Sequence, residues 1–202
     1  MKETTAKKKF MWNMAGSLCN SLSSMLLLII VNRISGESRG GFFALAYSTA
    51  QLLFSVGGFE IRPVQSTDIK NKFTFNQYFT SRMLNCIIML ICMIGYIVVN
   101  GYTGVEALTV FWILGYRMVE AVADVYSGLF QQRERIDISG KEMLMRSGIS
   151  TITFTIILWL TDNLLYAAMT LTLTSLVIML FYDLHMKKYF EPTPVHLEWR
   201  GI

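Results

Sequence analysis

The chain has 202 residues, of which 53% are hydrophobic and 16% are charged, and its formal net charge is +4. A soluble domain carries about 25% charged residues, so this composition excludes an ordinary soluble protein and indicates a membrane protein. The basic residues alternate with apolar segments and form no stripe among aromatic side chains, which argues against nucleic-acid binding. The cysteines form no C-x-x-C pair and the histidines lack metal-ligand spacing, so we expect no disulfide, metal or cofactor.

Six apolar segments follow one another along the chain, each close to the roughly 20 residues that a helix needs to cross a bilayer. They cover residues 10–34, 41–58, 79–99, 105–130, 143–160 and 164–182. The connections at 100–104 and 161–163 leave room only for tight returns, which predicts antiparallel neighbours. The predicted fold is an all-α integral membrane protein, a six-transmembrane-helix bundle. We expect residues 1–190 to form this bundle and residues 191–202 a polar tail.

The distribution of basic residues predicts the orientation of the bundle. With the N-terminus in the cytoplasm, every Lys and Arg except Arg33, Arg39 and Arg117 falls on the cytoplasmic side, as the positive-inside rule requires. Both termini are therefore predicted to be cytoplasmic. The basic start followed by an apolar run is also typical of a cleaved signal peptide, but its length and its polar first half favour a retained first span.

Polar residues recur at helical spacing inside several predicted spans, most clearly in the fourth. Arg117, Glu120 and Asp124 share one helix face there, and each charge near the bilayer centre costs about 2.5–3.5 kcal/mol. Such charges imply either a hydrophilic cavity or mutual pairing. Two alternatives stay open: Arg117 and Glu120 form a purely structural ion pair, and Asp124 lies in solvent near the interface. The candidate substrate-binding residues are Arg117, Glu120, Asp124, Asn13, Asn20 and Gln51. Glu120 and Asp124 are also the candidates for coupling to a proton or sodium ion.

Three features together resemble a known family. They are the basic N-terminus with an Asn/Ser-striped first helix, the segment "GGFEIRPVQSTD" (57–68) and the segment "DVYSGLFQQRERIDISGKEMLMRSG" (124–148). The chain resembles the N-terminal half of the bacterial polysaccharide flippases, which export O-antigen and capsule repeat units and belong to the multidrug/oligosaccharidyl-lipid/polysaccharide exporter superfamily. The resemblance implies a lobe beside a central cavity, in which charged residues bind an anionic head group and couple transport to an ion gradient. The implied substrate is an undecaprenyl-diphosphate-linked oligosaccharide, flipped across the bacterial cytoplasmic membrane by alternating access during lipopolysaccharide or capsule synthesis.

The chain departs from the family in having one lobe where its members have two. We expect either a truncated half, whose tail is the start of the inter-lobe linker, or a homodimer, since a transporter needs a second lobe to rock against. A six-span enzyme of phospholipid synthesis is the main alternative from another class. Such enzymes need clustered aspartates, whereas the next aspartate after Asp124 is Asp137. A non-transporting membrane subunit, a small channel or an inactive relic is the remaining alternative.

Overall fold

The computed structural model describes residues 5–58 and 61–198, and within them the chain is helical with short turns and no β-strand. Residues 59 and 60 of the quoted 57–68 segment, Lys2, and residues 199–202 of the predicted tail lie outside the described residues. The helices are α1 Ala6–Gly58, α2 Ile61–Thr67, α3 Phe75–Val99, α4 Gly104–Gln132, α5 Ile136–Thr161, α6 Leu164–Ile178 with a π-helical turn at Met179–Asp183, and α7 Leu184–Phe190. The predicted all-α bundle is confirmed.

In the part of the chain that the structure describes, four helical stretches are long and apolar enough to cross a membrane: Ala6–Ser55, Phe75–Val99, Ile136–Thr161 and Leu164–Phe190. The first of them covers the two predicted spans 10–34 and 41–58, since α1 runs through both of them. A break at Gly36 separates the two spans. The fourth predicted span, α4, has the length of a span, but Arg117, Glu120 and Asp124 lie within its apolar run. Six crossings are consistent with these helices, and an even number places the two ends of the bundle on the same side.

Helix α1 is a hairpin of two arms, residues 6–35 and residues 37–58. The turn uses only Gly36, whose φ of 85° and ψ of 171° are accessible to glycine at little cost. The sequence pattern predicts a longer non-helical connection at residues 35–40, whereas the structure needs a single residue. The second arm folds back on the first, since Tyr47 Oη donates to Ser24 Oγ at 3.0 Å.

The first arm of α1 runs parallel to α5 along its whole length. Lys9 Nζ donates to the Glu134 carbonyl at one end, and Ser35 Oγ donates to Asp162 Oδ1 at the other. Between these ends Gly16 and Gly140 bring the two backbones into direct contact: a Cβ atom on Gly16 would lie 2.1 Å from the Gly140 carbonyl oxygen. The small residues therefore set the separation of these two helices.

Local capping fixes where α3 and α6 begin. Thr74 and Gln77 form a reciprocal capping box at the start of α3, and the Asn163 side chain accepts from the Leu165 N–H at the start of α6.

Residues 191–198 follow α7 as an extended tail against α3, where the Glu198 N–H donates to Thr80 Oγ1 at 2.8 Å. The division into a lobe and a linker stays a prediction.

Two hydrophobic clusters lie at different levels of the bundle. One contains Leu27, Val31, Phe43, Met93, Val110, Ile113, Leu114, Phe154, Leu158 and Leu171, with further neighbours. The other contains Ile61, Phe75, Tyr78, Val125, Tyr126, Leu129, Phe130 and Ile138. Large apolar side chains on the outer faces of α1, α3, α5 and α6 are exposed, as expected of helices that contact lipid. On α4 the charged residues 117–124 lie between the two clusters.

The turn before α3 depends on Asp68. Its carboxylate accepts from the backbone N–H groups of Lys72 at 2.9 Å and Phe73 at 3.0 Å, and from Tyr78 Oη at 3.1 Å. The two backbone N–H groups, first that of Lys72, lower the pKa of Asp68. Because the folded pKa is depressed, this contribution to stability is present above the unfolded value of about 3.9 and is lost as the pH falls through the folded pKa.

We expect Asp68→Ala to expose the amides of Lys72 and Phe73 to hydrogen exchange at neutral pH, because both lose their acceptor. Exchange measured by mass spectrometry checks this, and acidification of the wild-type protein through the Asp68 pKa should produce the same local change. Lys70→Ala, an exposed substitution in the same turn, is the control. Unchanged exchange in Asp68→Ala would show that the turn is held by other contacts.

Candidate functional site

Among the described residues, three groups of buried or half-buried charges lie around the middle of α4. The first contains Arg117 and Glu120, two residues that are 3% and 5% exposed. Their side chains form an ion pair. Asn20 Nδ2 from α1 donates to Glu120 Oε1 at 3.2 Å. The Arg117 guanidinium also lies 4.4 Å from the centre of the Tyr47 ring, a cation–π contact. The predicted pairing of these two residues is thus present, and it is tied to both arms of α1.

The second group is centred on Asp124. One carboxylate oxygen accepts from Arg62 Nη1 on α2 and the other from Arg82 Nη2 on α3, both at 2.9 Å. Arg62 also donates from Nε to Gln131 Oε1 at 3.3 Å and from Nη2 to Ser139 Oγ at 3.4 Å. Asp124 therefore links α2, α3 and α4. The second alternative from the sequence, an Asp124 that lies in solvent near the interface, does not describe this arrangement.

The third group lies on α5 against α4. Glu142 and Arg146 are one helical turn apart and form an ion pair, with the two side chains 0% and 5% exposed. Ser127 Oγ from α4 donates to Glu142 Oε2 at 2.8 Å. Because an unpaired buried charge costs several kcal/mol, these pairings allow the charged residues to remain inside the bundle.

A cavity of about 310 Å³ lies where the three groups meet. Its walls come from α1, α2, α4 and α5, and its lining residues are Asn20, Phe54, Ser55, Arg62, Pro63, Glu120, Asp124, Met143 and Arg146. Two arginines and two carboxylates face the same space, together with the polar groups of Asn20 and Ser55. Such a surface suits an anionic ligand that carries polar groups, because a guanidinium binds phosphate or carboxylate through two parallel hydrogen bonds.

Of the residues predicted for the site, the structure brings Asn20, Glu120 and Asp124 to the cavity wall. Arg117 contacts Glu120 and is outside the set of lining residues. Asn13 is half-buried at the crossing of α1 and α5, where its Cα would lie 2.5 Å from a Cβ on Gly140. Gln51 is half-buried on the second arm of α1, and its backbone carbonyl accepts from Ser55 Oγ at 3.0 Å. The roles of all six stay predictions.

The sequence pattern missed three arginines of the site: Arg62, Arg82 and Arg146. It assigns them to cytoplasmic loops and ends by the positive-inside rule, because a basic residue near a helix end gives the same signal whether it is solvated or paired. Two signals were present: the i,i+4 spacing of Glu142 and Arg146, and the position of Arg62 in a short segment between two spans.

Comparison with known proteins bears on this arrangement. The model of the family described as "Polysaccharide biosynthesis protein" matches residues 6–199, nearly the whole chain. The chain belongs to this polysaccharide biosynthesis family. The resemblance inferred from the N-terminus and from the segments at 57–68 and 124–148 is therefore confirmed. A search of the curated proteins and a search of the solved structures each gave no match. Family and helices together identify a multi-pass membrane protein of polysaccharide biosynthesis.

Proposed function

We propose that this chain takes part in flipping a polyprenyl-diphosphate-linked oligosaccharide across the bacterial cytoplasmic membrane, and that the cavity binds the diphosphate head group. The observation that carries the proposal is that Arg62 and Arg146 line the same cavity, inside the apolar bundle of a polysaccharide biosynthesis protein. A diphosphate carries negative charge and many acceptor oxygens, which match the donors of two guanidinium groups. A transporter role, as opposed to an enzyme, is part of this proposal.

Arg62 is the residue best placed for the first contact with an anion. Its side chain is 23% exposed, against 5% for Arg146, so a ligand that enters the cavity meets it first. When Arg62 turns toward the ligand, Asp124 keeps its second partner, Arg82. The carboxylate therefore need not be left unpaired during binding, which lowers the cost of the change.

Glu120 and Asp124 are the proposed ion-coupling residues. Each is an acid at the cavity wall whose charge is balanced by arginine, Arg117 for Glu120 and the Arg62/Arg82 pair for Asp124. Protonation of either acid would free its arginine to pair with an anion. Binding of the coupling ion to the acid and binding of the head group to the arginine would then favour each other, which is a physical basis for coupling.

Alternating access requires a second body that moves against this one. We propose that a second lobe, or a second copy of the chain, faces the cavity side of the bundle. The sugar repeat, O-antigen or capsule, would then occupy the space between the two bodies. Reconstitution of the chain in vesicles, alone and with such a second lobe, tests this through the rate at which a fluorescent polyprenyl-diphosphate glycolipid changes leaflet.

We expect Arg62→Ala to weaken binding of undecaprenyl diphosphate to the purified protein roughly 10- to 100-fold, because charge-assisted hydrogen bonds contribute about 1.5–3 kcal/mol. Arg62→Lys keeps the positive charge but loses the paired N–H donors of the guanidinium, so it should show an intermediate loss of affinity. Binding is measured in detergent by titration with a fluorescent lipid and competition by the unlabelled one.

Two controls make this measurement specific. Arg33→Ala removes an exposed arginine from the first arm of α1 and should leave the affinity unchanged. Undecaprenol, which lacks the diphosphate, should bind wild type and Arg62→Ala equally. Equal affinity of both proteins for the diphosphate lipid would contradict a head-group site at Arg62.

A further inference from the structure

Asp183 is a buried acid outside the residues so far assigned to the cavity. It is 0% exposed and lies at the end of the π-helical turn Met179–Asp183, between α6 and α7. Neither of its carboxylate oxygens has a hydrogen-bond partner among the described residues. A carboxylate buried without donors is strongly disfavoured relative to the neutral acid.

Among the described residues, Asp183 and Glu142 share one cation, Arg146, which interacts electrostatically with both acids. The groups that interact with Asp183 electrostatically are Glu142 and Arg146 on α5, Tyr126 on α4 and its neighbour Tyr182. Arg146 already forms an ion pair with Glu142. Lys187, one turn beyond Asp183, donates to the Thr193 carbonyl and lies over the Phe75 ring.

The backbone is also unusual at this position. A π-helical turn inserts an extra residue into an α-helix, and such insertions are frequent at functional sites because they redirect a side chain. Here the turn carries Asp183 inward against α4 and α5. An acid that served only solubility would not be held in this place.

We propose that Asp183, Glu142 and Arg146 form a proton-binding site linked to anion binding in the cavity. In the proposed anion-free state, Asp183 carries a proton and Arg146 pairs with Glu142, as it does in the structure. Arg146 also lines the cavity, so an anion bound there draws the guanidinium away from Glu142. The Glu142 carboxylate then takes up one proton from cavity water, and returns it to water when the anion leaves and the ion pair forms again.

This linkage rests on the proposed head-group site, whereas the proton on Asp183 does not. The two parts therefore need different experiments. The chemistry is a proton transfer between water and a carboxyl group and requires no other reactant. By linkage, an anion that promotes proton uptake must itself bind more tightly as the pH falls.

Infrared spectroscopy of the purified protein tests the proton on Asp183 directly. We expect the C=O stretch of a protonated carboxyl group at neutral pH, shifted in D2O, absent in Asp183→Asn and displaced in Asp183→Glu. Asp162→Asn, which changes an exposed acid at the opposite end of the bundle, should leave the band unchanged. No such band in wild type, or a band that survives in Asp183→Asn, would overturn the proton-binding proposal whatever the head-group site does.

Calorimetric titration with inorganic pyrophosphate, in buffers of different ionisation enthalpy, tests the linkage. We expect uptake of up to one proton per pyrophosphate bound, beyond that taken up by pyrophosphate itself, lost in Glu142→Gln and retained in Asp162→Asn. Pyrophosphate binding without this proton uptake would overturn the linkage while leaving the head-group site standing. Absence of binding in wild type would overturn both the head-group site and the linkage, and the infrared band would then decide the proton site alone.

Discussion

We expect Gly140→Ala to destabilise the protein so strongly that only a small fraction of it folds. A Cβ at this position would lie 2.3 Å from the Trp12 carbonyl oxygen and 2.5 Å from the Asn13 Cα, both of them backbone atoms of α1. Side-chain overpacking costs about 1–3 kcal/mol because neighbouring side chains can turn away, whereas a backbone cannot. The first arm of α1 must therefore separate from α5, and with it the wall of the cavity that carries Asn20. We expect a cost at or above the upper end of that range.

Thermal unfolding in detergent, followed by size-exclusion chromatography of the soluble fraction, measures this effect. Gly16→Ala should behave like Gly140→Ala, since its Cβ would lie 2.1 Å from the Gly140 carbonyl oxygen. Gly41→Ala and Gly95→Ala are matched controls, because nothing lies within 4 Å of a Cβ at either site. They should be neutral or slightly stabilising, as alanine favours a helix by up to about 1 kcal/mol. A wild-type melting temperature for Gly140→Ala would show that the helices separate at little cost.

The fold was predictable from the sequence because hydrophobic length is a local property. Spans of about 20 apolar residues and tight connections at 100–104 and 161–163 are visible without any knowledge of contacts. The reversal in α1 was also predicted, between the spans 10–34 and 41–58. Its length was not, because the sequence does not show that one glycine, Gly36, is enough to make the turn.

The site was predictable where the cost of a charge in lipid could be read locally. Arg117, Glu120 and Asp124 fall on one face of a helix that is otherwise apolar, so their participation in a polar cluster followed from the helical repeat. Arg117 and Glu120 pair with each other within α4, whereas the partners of Asp124 come from α2 and α3, and the spacing of residues along one helix carries no information about those contacts. Arg62 and Arg82 needed the tertiary structure for this reason. Asp183 needed it as well, because the π-helical turn decides the direction of its side chain.

Arg117→Met is expected to destabilise the protein by about 3–5 kcal/mol, because it leaves the buried carboxylate of Glu120 without its cation. Glu120→Gln removes the acid and leaves the Arg117 guanidinium over the Tyr47 ring, so we expect a smaller loss. The double variant contains neither charge and should recover much of the stability of wild type. Chemical or thermal unfolding of the four proteins in detergent gives the coupling free energy of the pair.

The same four proteins separate a structural pair from a functional one. A pair that only orients helices predicts that the double variant, once stable, binds undecaprenyl diphosphate and exports polysaccharide as wild type does. The proposed cavity predicts a different result, since Glu120 lines it and Arg117 sets the position of the Glu120 carboxylate. The double variant should then be stable yet defective in transport. Its head-group affinity should change less than that of Arg62→Ala, because Arg62 and Arg146 still face the cavity. Recovery of export together with stability would assign Arg117 and Glu120 to the fold alone.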